Sequence, residues 1–258
     1  MTFPPKSPIV GIPISTTSYE EVLDVLTNRP REHATVVAIC NVHSVMTARR
    51  DPDLQKAISS AEIATSDGVP LVWGLRWTVR PEQQRVYGPE LMRRGLAEQD
   101  ERGWKHYLYG SATETLDLLE EKIHQFAPDA EIVGRHAPPF RPLTPEEQEA
   151  VLAEIRSSGA DLVWVGLGMP KQELWMHEVR RDLPGVALLG VGAAFDFLAG
   201  TVKQAPEWMQ RSGLEWLYRL IQEPRRLWRR YLFNNPAFAV LLAFQVAKTK
   251  LNTWFRSK

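Results

Sequence analysis

Six short apolar runs recur along the chain, several of them closed by glycine: TVVAIC (Thr35–Cys40), EIATS (Glu62–Ser66), HYLYG (His106–Gly110), EIVG (Glu131–Gly134), DLVWVG (Asp161–Gly166) and VALLGVG (Val186–Gly192). Apolar residues in such runs do not alternate with polar ones, which suits strands covered on both faces, as in parallel sheets. Helix-start chemistry falls between them. Ser111 with Glu114, and Thr144 with Pro145 and Glu147, read as capping boxes that satisfy free amides of a first helical turn. Strand followed by capped helix, repeated, predicts a doubly wound α/β fold with a mostly parallel sheet. The rhythm stops near Val202–Pro206, so residues 1–203 read as the α/β domain and 204–258 as a helical, basic, Trp-rich C-terminal appendage.

Charge narrows the partners. The chain carries 31 basic and 31 acidic residues, so no overall field argues for nucleic acid. Basic residues cluster from Ala205 onward, where Arg211, Arg219, Arg225, Arg226, Arg229, Arg230, Lys248, Lys250, Arg256 and Lys258 face only Glu207, Glu215 and Glu223. A single cysteine, Cys40, excludes an intramolecular disulfide and a thiolate metal cluster, and fits a reducing cytosol. The opening MTFPPKSPIVGIPIS lacks the pattern of a signal peptide. The longest apolar run, Ala237–Ala247, falls short of the roughly 20 residues needed to cross a bilayer, but can lie on one.

In an open α/β sheet, ligands bind beyond the carboxyl ends of the strands. Asn41, Asp67, Gly168, Pro170, Lys171, Gln172 and Asp196 all follow predicted strands. Asp67 precedes Gly68, a favourable turn pair; partly desolvated by Val69, Leu71 and Trp73, it is equally a candidate general base. Asp196, between Phe195 and Phe197, competes for that role or caps the next segment. GLGMPKQE (Gly166–Glu173) joins flexible glycines to a helix start, where amide groups and Lys171 can meet a diphosphate and Gln172 can meet a sugar or phosphate. An ordinary strand-to-helix connection with a solvated lysine is the plainer alternative. The stretch is neither a Walker loop nor a G-x-G-x-x-G fingerprint.

Arg85 offers a forked guanidinium to an anion, or a surface ion pair to Glu82 or Glu90. His43 is a candidate acid or base, or a capping or core residue. The six histidines show no zinc-ligand spacing, so no metal is expected. In the appendage, Arg219, Arg226 and Arg230 are spaced to share one helical face, although Pro224 predicts two helices rather than one. Trp216, Trp228 and Tyr231 interleave with the arginines, a pattern for a headgroup layer or for an amphipathic helix packed on the body.

Taken in order, N-x-H-S-V, the DG after the second run, R-V-x-G, G-x-G-x-P-K-Q-E, G-V-G-A-x-F-D-F-x-A-G, A-P-x-W and G-L-E-W-L-Y-R-L-x-x-E-P-x-R-x-x-R-R resemble the WecG/TagA/CpsF family of bacterial glycosyltransferases from about Thr35 to Tyr231. The resemblance implies a Rossmann-like fold of the GT-E type and an inverting, metal-independent transfer without cofactor. The donor would be a UDP-sugar of the N-acetylmannosamine, N-acetylmannosaminuronate or glucose type. The acceptor would be a polyprenyl-diphosphate-linked saccharide at the inner face of the cytoplasmic membrane, for exopolysaccharide or teichoic-acid-type polymers. It places the family's base on Asp67, its motif Gln on Gln172, its Arg before V-x-G on Arg85, and its leaving-group cations among Arg219, Arg226, Arg229 and Arg230. Asn41, Gly168, Lys171 and Asp196 complete the expected substrate contacts. Ile39 stands where the family's strand-end Thr is expected, and Glu90 where Asp is commoner, which bears on the donor sugar more than on the reaction. A nucleotide-dependent oxidoreductase and a non-catalytic membrane adaptor are the alternatives; the first lacks its glycine fingerprint, and the second needs only the appendage.

Overall fold

In the computed structural model, residues 2–98 and 102–256 are described, with side chains through Leu251; Lys258, and the side chain of Arg256, lie outside the described part. All six predicted runs are strands: β3 (Thr35–Cys40), β4 (Ile63–Ser66), β5 (Lys105–Gly110), β6 (Glu131–His136), β7 (Leu162–Gly166) and β8 (Ala187–Gly190). They form one parallel sheet in the order β4-β3-β8-β7-β5-β6. The doubly wound α/β expectation is met.

Both faces of the sheet are covered, which is why the runs are continuously apolar. Val36, Ala38 and Cys40 of β3 point into one cluster with helices Val42–Ala48, Pro52–Ser60, Pro145–Ser158 and Lys171–Val179. Val37 and Ile39 point into the other, with helices Tyr19–Thr27, Gly88–Ala97, Thr113–Phe126 and Ala194–Ala199. After β3 the chain enters the first layer, and after the neighbouring β8 it enters the second. The chain therefore leaves these two neighbouring strands toward opposite faces, at Asn41 and Gly192, the kind of switch point at which open α/β sheets bind ligands.

Of the two predicted capping boxes, one forms and one does not. Thr144 caps its helix through the full box with Glu147, behind Pro145, whereas Ser111 caps nothing: the helix Thr113–Phe126 starts from Ala112 with no side-chain cap. Gly110 leaves β5 with φ 123° and Ser111 follows at φ 62°, so the turn consumes the residue that the box would need. An N-terminal hairpin, β1 (Lys6–Ile9) with β2 (Ile12–Ser15), adds a separate two-stranded sheet. Its two-residue turn, Val10–Gly11, has φ 51° and 87°, the handedness that tight hairpins require.

The C-terminal segment is helical, and its path breaks at Pro224 as the proline predicts: helices Glu207–Ser212 and Glu215–Gln222 precede a long helix, Pro224–Arg256. Glu223, at φ −131° and ψ 59°, leaves the helical region because its side chain and amide would clash with the proline ring. The long helix packs along helices Val42–Ala48 and Val69–Thr78. Phe238 and Leu242 are buried in the first core cluster, each burial contributing about 1.5–3 kcal/mol. Gln245 ties the helix to the hairpin, accepting from the Val10 amide at 2.7 Å and donating to the Pro8 carbonyl at 2.6 Å.

Candidate active site

Asp67 sits one residue beyond β4, its amide donating to the Cys40 carbonyl at 2.9 Å, so the carboxylate emerges at the mouth of the sheet. Gly68 follows because the turn lies against Asn41: a Cβ there would come within 3.2 Å of the Asn41 Cα. Asn41 caps the next helix through its side-chain oxygen, which accepts from the His43 and Ser44 amides at 3.0 and 3.2 Å. Its NH2 group makes no hydrogen bond to the described residues.

A cavity of about 570 Å³ opens over these residues, within the range of small-molecule sites. Asn41, His43, Asp67, Arg85, Glu215, Arg219, Arg230 and Asn235 are among its polar lining; Trp73, Trp77, Trp216, Tyr231, Phe238 and Leu242 form an apolar wall. The sheet supplies half of this site and the C-terminal segment the other half.

Arg85 pairs with neither Glu82 nor Glu90. Its Nη2 donates to Asp67 Oδ1 at 3.0 Å and to Glu215 Oε2 at 2.7 Å, and its Nε donates to the Asp67 carbonyl at 2.5 Å. The guanidinium carbon lies 4.2 Å from the Tyr87 ring centre. Burial raises the Asp67 pKa to about 6, opposed by the charge of Arg85 and assisted by the charge of Glu215. Asp67 is thus ionised at neutral pH yet holds a proton more tightly than an exposed aspartate, the condition for a general base.

Of the four tail arginines, the structure brings two to the cavity. Arg230 is half-buried; the loss of solvent around its guanidinium lowers its pKa to about 10 and leaves it charged at neutral pH, and its Nε has no hydrogen-bond partner among the described residues. Arg219 lies over the Phe197 ring, 5.5 Å from its centre, and its charge acts on Asp67 and Asp196. Arg226 and Arg229 are placed elsewhere: Arg226 pairs with Glu223 at 2.6 Å and Arg229 lies over Trp228. Trp216 and Tyr231 face each other 5.7 Å apart on the cavity wall rather than on an outer interface. His43 lines the cavity and is tied to the long helix. Its Nδ1 accepts from Asn234 Nδ2 at 3.1 Å, and burial together with Arg230 lowers its pKa to about 3.

Gly168, Lys171 and Gln172 lie outside the lining of this cavity. They follow β7, three strand spacings from β4, about 14 Å across the same edge of the sheet. Gln172 turns inward: its Oε1 accepts from the Gly168 amide at 3.1 Å, and its Nε2 donates to the Gly190 carbonyl at 2.9 Å and to Glu173 at 3.0 Å. The side chain expected to meet a ligand therefore clamps the β7 loop to β8, and occupies the Gly168 amide as well. Lys171 is exposed at the helix start and makes no ion pair among the described residues. Asp196 is half-buried on the helix after β8, its pKa raised by burial against Arg219 and Arg226. Ile39 is buried against Gly88 and Val191, in the second core cluster, while Glu90 pairs with Arg93 and Arg94. Among the described residues, no three His, Cys, Asp or Glu side chains gather as a metal site. Sequence reasoning passed over Glu215; its signal was an acidic residue within a basic tail.

A parallel α/β sheet with a carboxylate and guanidinium groups converging on a cavity at its carboxyl edge is the architecture of an α/β protein with a polar ligand site. The sequence matches the glycosyl transferase WecG/TagA/CpsF family over residues 7–252, and the chain belongs to that family. Glycosyl transfer thereby displaces the oxidoreductase and adaptor alternatives. The match includes the C-terminal segment, in keeping with its share of the cavity.

Proposed function

We propose that this glycosyltransferase is an inverting, metal-independent hexosyltransferase that moves a sugar from a UDP-sugar to a polyprenyl-diphosphate-linked saccharide. The carrying observation is the convergence of Asp67 with Arg219 and Arg230 on one cavity. Asp67 removes the proton from the attacking acceptor hydroxyl as that oxygen bonds to the anomeric carbon, and the bond to UDP breaks on the opposite face. Inversion requires one displacement and hence one base. Negative charge grows on the departing diphosphate, where Arg219 and Arg230 neutralise it from a partly buried position that strengthens their effect.

The apolar wall of Trp73, Trp77, Phe238 and Leu242 suits the prenyl end of the acceptor. No described helix is long and apolar enough to cross a membrane. Attachment to the inner face of the membrane is instead assigned to exposed apolar side chains of the long helix and its neighbouring cations, with no cofactor and no nucleic acid involved.

The test is a UDP-release screen of UDP-N-acetylmannosamine, UDP-N-acetylmannosaminuronate and UDP-glucose with a short-chain prenyl-diphosphate sugar. One donor is expected to turn over in the wild type, and Asp67→Asn to lower kcat by about 10²–10⁴-fold with the fold intact. An active Asp67→Asn variant would remove the base from the mechanism.

A further inference from the structure

We propose that Glu215 is a positioning residue that competes with Asp67 for the Arg85 guanidinium, and so releases the Asp67 carboxylate for reaction once the C-terminal segment is seated. This rests on the reading of Asp67 as the base. Arg85 and Asp67 belong to the α/β body, whereas Glu215 opens the helix Glu215–Gln222 of the appendage. A guanidinium facing a single carboxylate grips it through two parallel bonds. Here that fork is divided. Nε is spent on the Asp67 backbone carbonyl, and Nη2 serves Glu215 at 2.7 Å and Asp67 at 3.0 Å. The appendage also engages Nη1 through the Gln210 carbonyl at 3.5 Å, while Tyr87 steadies Glu215 with a hydroxyl at 3.5 Å. Only Oδ1 of Asp67 is held; Oδ2 has no hydrogen-bond partner among the described residues. Withdrawing Glu215 would let Arg85 close on Asp67 and weaken it as a base.

Asp67 is faced by the cations Arg85, Arg219 and Arg230, and by Glu215, Tyr19, Tyr87 and Cys40 as groups that are anionic when ionised. Burial holds both tyrosines and the thiol above their ordinary values, Tyr19 at about 12, so they stay neutral below pH 8. Among the described residues, Glu215 is the carboxylate that shares the Arg85 guanidinium with Asp67. It also arrives with the tail, so a seated tail and a competent base occur together.

The experiment is the pH profile of kcat/KM for full-length wild type, Glu215→Gln and Asp67→Asn, read as UDP release from UDP-N-acetylmannosamine, with UDP-glucose run beside it. For Glu215→Gln the acid limb is expected to move down by about one pH unit, and the alkaline plateau to fall about threefold, because a weaker base is less protonated in acid and less effective above it. A purely structural loss would lower the profile at every pH without moving the limb. An unmoved limb in Glu215→Gln with an inactive Asp67→Asn overturns the role of Glu215 and leaves the base in place. An active Asp67→Asn overturns both. Should the amide variant fail to fold, Glu215→Asp decides: pulling the carboxylate back by one methylene moves the limb the same way by a smaller step, and an unmoved limb there overturns the proposal.

Discussion

Asp67, half-buried, and Glu173, fully buried, are both carboxylates placed after strands, yet they differ in what surrounds them. Asp67 faces a cavity and three guanidinium groups; Glu173 is enclosed, its Oε2 unpartnered and its pKa raised by burial to about 7. The native state thus binds the Glu173 proton more tightly than the unfolded chain, whose glutamates titrate near 4.5. Stability falls as pH rises through the window between those values, and the penalty is complete above about pH 7. Glu173→Gln should melt higher than wild type at pH 8 and close to it at pH 4.5, measured by thermal denaturation at both. Equal melting at pH 8 would show that the carboxylate is not held at that cost. At this scale the candidate base was legible, because a strand-end Asp before Gly is visible in any reading. Its ion-pair partner was not. Glu215 lies far from Asp67 in sequence, and no local pattern reports a pairing made by tertiary contact. The internal bonding of Gln172 was hidden for the same reason: the motif fixes its position at a helix start but not which way its amide turns.

Strands were the most legible elements, since burial on both faces leaves an apolar run that needs no partner to be recognised. The hairpin Lys6–Ser15 was hidden by Pro8 and Pro13, which demote a strand reading; the register pairs them with each other, so neither interrupts the bonding of a non-proline neighbour. The Ser111 box failed at a junction where backbone geometry, not side-chain chemistry, decides. Gly110 holds φ 123°, and a Cβ there would lie 2.6 Å from the Gly166 carbonyl carbon. Gly110→Ala should therefore cost about 1–3 kcal/mol in strain alone, and lower the denaturant midpoint with little change in slope. An unchanged midpoint would mean that the β5–β7 exit is not tightly packed. Pro224 was read correctly as a break, and that break turns Trp216 and Tyr231 onto the cavity instead of onto one continuous outer face.

Across the whole molecule, the appendage has two surfaces with different tasks. One packs on the body through Leu227, Phe238 and Leu242 and delivers Arg219, Glu215 and Arg230 to the cavity. A second stripe, Phe233, Val240, Phe244 and Leu251, repeats at seven, four and seven positions and is 55–72% exposed. Apolar side chains aligned along a helix beside exposed Arg225, Arg226 and Lys248 are suited to an anionic lipid surface. Sedimentation with phosphatidylglycerol vesicles should fall at least tenfold for Phe233→Ser/Phe244→Ser and weaken for wild type at high salt. Binding indifferent to both would place the membrane elsewhere.

The central claim is that protein cations alone neutralise the departing nucleotide. Single-turnover transfer to the prenyl-diphosphate sugar, followed in EDTA, tests it most directly. Full wild-type rate in EDTA, with Arg219→Ala/Arg230→Ala reduced about 10³-fold or more in kcat, is the predicted result. A wild-type reaction that stops in EDTA and returns only with added manganese would contradict it.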